Sequence, residues 1–104
     1  MSQVVLYVTA ASNDEAVRIG RIVVDEKLAA CANVIPAITS IFRWNGALQE
    51  ETESVVLIKT RNDLVERATQ RIKDIHGYEC PCVVALPITG GNSEFLDWID
   101  SETD

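Results

Sequence analysis

The feature that most constrains the fold of this chain is a long stretch of strand-forming sequence, residues 28–60, centred on Asn45-Gly46. Asn-Gly is typical of the two-residue loop of a type I′ β-hairpin, because both positions of that turn require a positive φ. The arm before the turn is rich in β-branched and aromatic residues, and the arm after it runs through an acidic section into Val55-Val56-Leu57-Ile58. The stretch therefore predicts a β-hairpin with two unusually long strands.

The expected length of the hairpin predicts that its tip lies outside the core of the chain. Each arm has roughly 13–15 residues, whereas an ordinary strand has about 5–6, and at about 3.3 Å per residue an arm reaches roughly 45 Å. The radius of gyration of a compact chain of this length is only about 13 Å. The tip carries Phe42, Trp44 and Leu48. An isolated two-stranded ribbon that exposes apolar groups is poorly stable in water. We therefore expect other copies of the chain to cover these residues.

Two further features modify the hairpin. Pro36 has no N–H to donate to a strand ladder, so we expect a bulge or an edge position there and include Pro36 in the interface between copies. Glu50, Glu51 and Glu53 make part of the second arm acidic, but three acids lack the roughly six to eight oxygens that Ca²⁺ prefers. We expect them to form a solvated edge that discourages aggregation of sheets.

The composition is that of a single globular domain spanning residues 1–104. The chain is 47% apolar, which argues against disorder, and 104 residues suffice for one modest core. No apolar run approaches the roughly 20 residues of a membrane span, and no basic leader precedes the first strand pattern, so we expect a cytoplasmic protein without a membrane partner. The net charge of −7 repels phosphate backbones, which argues against nucleic-acid partners. The three cysteines, an odd number, are expected to be free thiols.

Patterns before the hairpin predict a strand and a helix. Residues 3–9 form a continuous apolar run of strand length, as in a strand at the middle of a sheet. Ser12 and Glu15 form a capping box, which predicts the start of a first helix that ends near Leu28.

Patterns after the hairpin predict a second helix, a fourth strand and a short terminal helix. The second helix has Thr60 or Asn62 as its cap and ends at His76-Gly77, where the histidine suits the helix dipole. The fourth strand spans residues 80–89, and the terminal helix follows it. We expect residues 101–104 to be a disordered tail.

The order of these elements, β-α-β-β-α-β with a terminal helix, is that of the ferredoxin-like fold in the α+β class. Both long helices are expected to pack on one face of a four-stranded sheet. Because this fold serves many functions, the function has to be argued from the site.

Six short motifs along the chain occur together in one known family. They are Glu26-Lys27-Leu28-Ala29-Ala30-Cys31, Asn33-Val34-Ile35-Pro36, Thr39-Ser40-Ile41-Phe42-Arg43-Trp44-Asn45-Gly46, Leu57-Ile58-Lys59-Thr60, His76-Gly77-Tyr78-Glu79-Cys80-Pro81 and Ala85-Leu86-Pro87-Ile88. In this order they resemble the CutA divalent-cation tolerance family, over nearly the whole chain. The resemblance implies a ferredoxin-like homotrimer, similar in architecture to PII-type signalling trimers, with a role in tolerance of copper and other divalent metals. It implies no catalytic reaction.

Two departures from the family's pattern bear on a metal site. The family usually reads His-Pro-Tyr-Glu-x-Pro-Glu where this chain reads HGYECPC over residues 76–82. A cysteine proposed as a copper ligand near the end of the family's first strand has no counterpart in Tyr7-Val8-Thr9, and a second proposed histidine falls on Ile75. Of the copper ligands that the resemblance implies, only His76 carries over.

The residues themselves suggest a candidate metal site that contains His76, Glu79, Cys80 and Cys82. At the spacing i and i+2 of a strand the two cysteines would share a face, with His76 nearby. Thiolate and imidazole ligands favour Cu(I) or Zn over hard cations, so copper or another divalent metal is the candidate cofactor of this site. The alternative is that His76 caps the helix and the cysteines pack in the core, which we also expect of Cys31.

A second candidate site contains Lys59, Thr60, Tyr78, Glu79 and Trp98, which can line a cleft between subunits. A buried Lys59–Glu79 pair is costly unless it is well hydrogen-bonded, so such a pair would indicate a small anionic or polar ligand. The alternative is an ion pair between subunits with aromatic anchors. A signalling or scaffold trimer that binds a metabolite or a partner protein at these clefts is therefore the alternative function. With one histidine and scattered thiols, the sequence contains no recognisable nucleophilic triad, and we do not expect an enzyme.

Overall fold

The structure of the chain, a computed structural model, describes residues 2–104, and in these residues four strands form one antiparallel sheet. The elements in chain order are β1 (Gln3–Ala10), α1 (Asn13–Asp25), β2 (Cys31–Trp44), β3 (Ala47–Arg61), α2 (Val65–Ile75), β4 (Val83–Pro87) and α3 (Ser93–Ser101). The strand order across the sheet is β2-β3-β1-β4, so β2 and β4 are its two edges. The expected α+β, ferredoxin-like order is confirmed. None of the helices within residues 2–104 is long and apolar enough to cross a bilayer.

The two faces of the sheet differ in what covers them. On the helix-covered face, Leu6 and Val8 of β1 and Ile58 of β3 are fully buried together with apolar residues of α1 and α2, such as Ile19 and Ile72. Alternate residues of a strand point to opposite faces, so the neighbours of these residues lie on the other side of the sheet. We call that side the open face; by strand register it carries Val5, Tyr7, Cys31, Asn33, Ile35, Leu57, Lys59, Val84 and Leu86.

The first helix begins where the sequence predicts and ends earlier. Ser12 Oγ accepts a hydrogen bond from the Glu15 backbone N–H at 3.1 Å, which confirms the predicted cap. The helix ends at Asp25 rather than near Leu28. Lys27 adopts a φ of 60°, and the Leu28 N–H donates back to the Val23 carbonyl at 2.9 Å, as in a left-handed C-terminal cap.

Gly20 lies where this first helix approaches the sheet most closely. A Cβ added at Gly20 would lie 3.0 Å from Ala32 Cβ and 3.3 Å from Val56 Cγ2. A side chain at this position would push the helix away from β2 and β3, which explains a glycine in the middle of a helix despite its cost of about 1 kcal/mol.

The second helix does not use either of the predicted caps. Thr60 still belongs to β3, where it is fully buried and its Oγ1 donates to the Leu28 carbonyl at 2.7 Å. Asn62 opens a single 3₁₀ turn, and α2 follows without a side-chain cap. The helix ends at His76 as predicted, but Gly77 does not adopt a left-handed conformation. Its N–H instead donates to Glu15 Oε2 at 2.8 Å.

The long hairpin is confirmed, with its turn and its bulge. Asn45 and Gly46 have φ values of 50° and 77°, as a type I′ turn requires. The register between β2 and β3 shifts between Ile35 and Ile38, so Pro36 sits in a bulge, and its carbonyl accepts a hydrogen bond of 2.6 Å from Ser54 Oγ.

The part of the hairpin nearest the turn has no third strand. β1 pairs with β3 only over Ser54–Arg61, so residues 47–53 pair with β2 alone. The dimensions of the molecule are 44 × 25 × 22 Å, which confirms that the hairpin extends beyond the core. Trp44 and Leu48 are 54% and 70% exposed there.

The end of the chain corrects two expectations. β4 covers only Val83–Pro87 instead of residues 80–89, so Cys80 and Cys82 precede the strand. Residues 101–104, expected to be disordered, pack against the domain instead. The buried Thr103 donates from Oγ1 to the Ile99 carbonyl at 3.0 Å, and the Asp104 N–H donates to the Lys27 carbonyl at 3.0 Å. The first bond ties the tail to α3, and the second joins it to the loop after α1.

Candidate functional site

The loop of residues 76–82 is attached to the domain through the ring of His76. Its Nε2 lies 2.7 Å from the Thr9 carbonyl oxygen, and its Nδ1 lies 3.0 Å from the Tyr78 backbone nitrogen. A carbonyl can only accept and a backbone N–H can only donate, so the ring carries its hydrogen on Nε2 and accepts at Nδ1. Both ring nitrogens are therefore occupied by backbone partners.

The same loop buries an acid of the hairpin. The Tyr78 hydroxyl donates to Glu53 Oε2 at 2.7 Å, and Glu53 is only 8% exposed. Burial raises the pKa of the Tyr78 hydroxyl, and the hydrogen bond and negative charge of Glu53, with the charges of Glu15 and Glu51, raise it further. The expected solvated edge is therefore wrong for Glu53, because the loop covers it, whereas Glu50 and Glu51 are exposed.

Glu15 links this loop to the start of the first helix. Its Oε1 accepts from the Ala11 N–H at 3.1 Å, and its Oε2 accepts from the Gly77 N–H at 2.8 Å. A Cβ added at Gly77 would lie 2.8 Å from the same Oε2, so a side chain there would displace the Glu15 carboxylate from this bond. The capping spacing indicated the local role of Glu15, but no sequence signal indicated its contact with Gly77 or the burial of Glu53.

The four candidate metal ligands do not form a closed site within one chain. Cys80 and Glu79 are exposed, Cys82 is half-buried, and the two cysteines lie in a loop and not on one face of a strand as predicted. Neither nitrogen of His76 is free to bind a metal. Within residues 2–104, no group of three or more His, Cys, Asp or Glu side chains is placed to hold a metal ion. The residues of a single chain therefore do not fit a three- or four-ligand metal centre, and only the two thiols remain as soft ligands.

The candidate ligand cleft is divided between two faces of the sheet. Lys59 lies on the open face, where its Nζ donates to Asn33 Oδ1 and lies 3.6 Å from Cys31 Sγ. It does not pair with Glu79. Thr60 faces the helices and is fully buried, so it does not belong to a site with Lys59.

The remaining members of the predicted cleft lie apart from Lys59. Tyr78 is held beside Glu53, and Trp98 is exposed on α3, with its ring centroid 5.4 Å from that of Phe95. Cys31, expected in the core, lies half-buried on the open face. A cleft that needs several copies of the chain stays a prediction.

The expected interface residues lie on the projecting hairpin. Pro36, Trp44 and Leu48 are exposed, and Phe42 is half-buried. Other large apolar residues are also exposed: Ile41 on the same hairpin, Ile35, Val84 and Leu86 on the open face, and Phe95 and Trp98 on α3. The chain by itself therefore leaves an extended apolar surface in contact with water.

Comparison with known proteins decides the family. The sequence profile of the CutA1 divalent ion tolerance protein family matches residues 4–102. The chain belongs to the CutA1 family. The resemblance inferred from the six motifs is confirmed.

Relatives of known name carry the same family designation. The chain is 43% identical over 103 residues to the divalent-cation tolerance protein CutA of Thermus thermophilus, and the match covers 99% of each chain. It is 40% identical over 100 residues to the chloroplastic protein CutA of Arabidopsis thaliana, covering 96% of this chain and 55% of that protein. The chain thus spans about half the length of the plant relatives that it matches. The Thermus thermophilus relative is named for divalent-cation tolerance and not for a reaction.

Solved CutA1 structures share the fold of this chain. The crystal structure of CutA1 from Oryza sativa superposes with a TM-score of 0.97 at 38% identity, covering 100% of this chain and 95% of that one. The Thermus thermophilus protein gives a TM-score of 0.94 at 42% identity, covering both chains fully. The long hairpin and the packed C-terminal helix therefore belong to a CutA1 fold.

The bond between Tyr78 and Glu53 predicts the effect of removing one hydroxyl. Tyr78→Phe leaves the buried Glu53 carboxylate without this donor, which we expect to lower the free energy of unfolding by about 1–3 kcal/mol. Tyr7→Phe is the matched control, because the Tyr7 hydroxyl makes no hydrogen bond within residues 2–104. Urea denaturation of both variants measures the difference, and equal stabilities would show that the Tyr78 bond contributes nothing.

The raised pKa of Tyr78 predicts that alkaline pH destabilises the fold. In the unfolded chain a tyrosine side chain has a pKa of about 10, whereas the folded chain keeps the Tyr78 proton to higher pH. Unfolding therefore releases a proton above about pH 10, and the free energy of unfolding falls as the pH rises. We expect a smaller fall for Tyr78→Phe than for the wild type in urea denaturation between about pH 9 and about pH 11. Parallel pH profiles of the two proteins would contradict this assignment.

Proposed function

We propose that this protein acts in tolerance of divalent cations as a homotrimer. The observation that carries the proposal is the two-stranded ribbon of residues 38–53, which extends past β1 and exposes Trp44, Leu48 and Ile41. Isolated two-stranded ribbons are at best marginally stable in water, and contiguous exposed apolar patches mark interaction sites. Neighbouring copies of the chain are the proposed cover.

The topology of the sheet supports a ring of copies. The two edges of the sheet are different strands, β2 on the hairpin and β4 near the C-terminus. Contact between unlike surfaces of identical chains is heterologous, and such contacts form a ring when the rotation between copies closes. A ring of three is the assembly that the family resemblance implies, with PII-like architecture.

Metal binding by this chain is proposed to be conditional and limited to two thiols. Cys80 is exposed and Cys82 is half-buried, and they are separated by Pro81 alone, whereas both nitrogens of His76 are already bonded. Thiolates favour soft ions such as Cu(I), and they must lose their protons to bind, so binding would strengthen as the pH rises. The proposed activity is therefore binding and not catalysis. The three unpaired cysteines suit a reducing compartment, and we propose that the protein is cytoplasmic.

A trimer that binds a small ligand between its subunits is the second candidate function. It is favoured by one observation, the position of the Lys59 ammonium on a largely apolar face, where it has no carboxylate partner among residues 2–104. A face of this kind, once covered by another copy, would favour an anionic ligand.

The proposed assembly predicts that an acid at the hairpin tip separates the copies. Trp44→Asp places a charge on a surface that would be buried between chains, and we expect its mass in light scattering to fall below that of the wild type. The wild type should have three times the mass of the 11.5 kDa chain. Arg67→Asp, on the exposed side of α2, is the matched control and should keep the wild-type mass. A Trp44→Asp protein as heavy as the wild type would refute the role of this residue.

The proposed thiol pair predicts which substitutions affect copper binding. In isothermal titration with Cu(I) under reducing conditions, Cys80→Ala/Cys82→Ala should lose the binding heat because it removes both soft ligands. Cys31→Ala is the control for a third thiol and should retain the heat, and so should His76→Gln, because that ring has no free nitrogen. Equal heats for the wild type and the double variant would eliminate the thiol pair.

A further inference from the structure

Lys59 differs from the other partly buried cations of the chain in having no counter-ion. Three of the nine Lys and Arg side chains are half-buried: Lys59, Arg61 and Arg71. Arg61 pairs with Asp63 at 3.0 Å and Arg71 pairs with Glu26 at 2.8 Å. Within residues 2–104, Lys59 makes no ion pair, although the chain has 16 acidic residues.

The surroundings of Lys59 on the open face are mainly apolar. Its partner in β1 is Val5 and its partner in β2 is Cys31, and Leu57 precedes it on the same face of β3. An ammonium group in such surroundings is tolerated while water reaches it, but its cost rises steeply when the face is covered without a charged partner. This step rests on the proposed assembly, because only contact between copies would remove the water.

Asn33 completes a set of hydrogen-bond donors beside the Lys59 ammonium. Since an ammonium can only donate, the oxygen of the Asn33 amide faces it, and the two N–H groups of the amide are left without a partner within residues 2–104. The ammonium and the amide together offer a positive charge and several donors, and within residues 2–104 the ammonium has no carboxylate at ion-pair distance. A carboxylate matches this set, because its two oxygens only accept and charge-assisted bonds of this kind are strong.

We propose that Lys59 and Asn33 form a carboxylate-binding site on the open face of the sheet. The carboxylate comes either from an Asp or Glu side chain of a neighbouring copy or from a free organic acid. The simplest competing explanation is that the Lys59 side chain extends along the sheet and keeps its ammonium in water without any anion.

Carbodiimide cross-linking tests the first source, because the reagent joins an amine to a carboxylate only when the two are in contact. Mixing isotope-labelled and unlabelled copies distinguishes links between chains from links within a chain in the mass spectrum. We expect a link from Lys59 to an acid of another copy in the wild type, the loss of that link in Lys59→Met, and its retention in Lys73→Met, a control at an exposed lysine of α2.

Thermal denaturation tests the second source with acetate and succinate as probes against sodium chloride of equal ionic strength. A ligand that binds the folded state raises the melting temperature. We expect the carboxylates to raise it for the wild type and for Lys73→Met, with no shift for Lys59→Met and a smaller shift for Asn33→Ala, which keeps the charge. A link to another copy without a carboxylate effect supports the neighbouring side chain, and the reverse result supports a free acid.

The absence of both the Lys59 link and the carboxylate shift would overturn the proposed site. Light scattering of the same samples reports on the assembly separately. A trimer without either signal contradicts the site alone, whereas a single chain whose melting temperature rises with acetate supports the site and contradicts the assembly.

Discussion

The architecture of this chain depends on a difference in length between two strand pairings, β2 with β3 and β1 with β3. β3 pairs with β2 along almost its whole length but with β1 only from Ser54 onward. Where all three strands run together, one face is covered by α1 and α2 and forms the core. On the turn side of Ser54 the hairpin has no third strand, so side chains such as Trp44 and Leu48 are left exposed by their own chain. The exposure of the hairpin therefore follows from the lengths of the strands and not from any single residue, and cover by other copies is what we propose for it.

In the loop of residues 76–82, a side chain that could bind a metal is instead engaged in structural hydrogen bonds. His76 is the only histidine in the sequence, and its two nitrogens bond to the backbone of Thr9 and Tyr78. Tyr78 in turn supplies the hydroxyl that satisfies the buried Glu53. The histidine that would make a metal centre with the two cysteines instead holds the loop against the sheet. The soft ligands that remain in this loop are the thiols of Cys80 and Cys82, and the proposed metal binding is therefore limited to them.

Local sequence signals predicted the parts of the fold that local chemistry decides. Asn45-Gly46 predicted the turn, Pro36 predicted the bulge, and Ser12 predicted the start of α1. In each case the type of that one residue decides the local backbone geometry. Signals failed where distant segments meet. Thr60 was a reasonable cap by type but is held in β3 by a hydrogen bond to the Leu28 carbonyl, 32 positions earlier. The ordered tail depends on a bond from Asp104 to the loop after α1, which composition cannot reveal.

The candidate sites were less predictable than the fold for the same reason. The sequence named Lys59 but paired it with Glu79, whereas strand register places Asn33 and Cys31 beside it. It placed Glu53 in water because nothing near Glu53 in the chain indicates that Tyr78 covers it. Residue type indicates which chemistry is available, and only the register of the strands determines which groups meet.

Hydrogen exchange of the backbone amides in residues 38–53 measures most directly whether other copies cover the ribbon. If they do, these amides should exchange as slowly as those of β1, which lies in the middle of the sheet, and dilution that separates the copies should speed their exchange selectively. Fast exchange of the ribbon at every protein concentration, beside a well-protected β1, would mean that the hairpin stands free in water and that this chain functions alone.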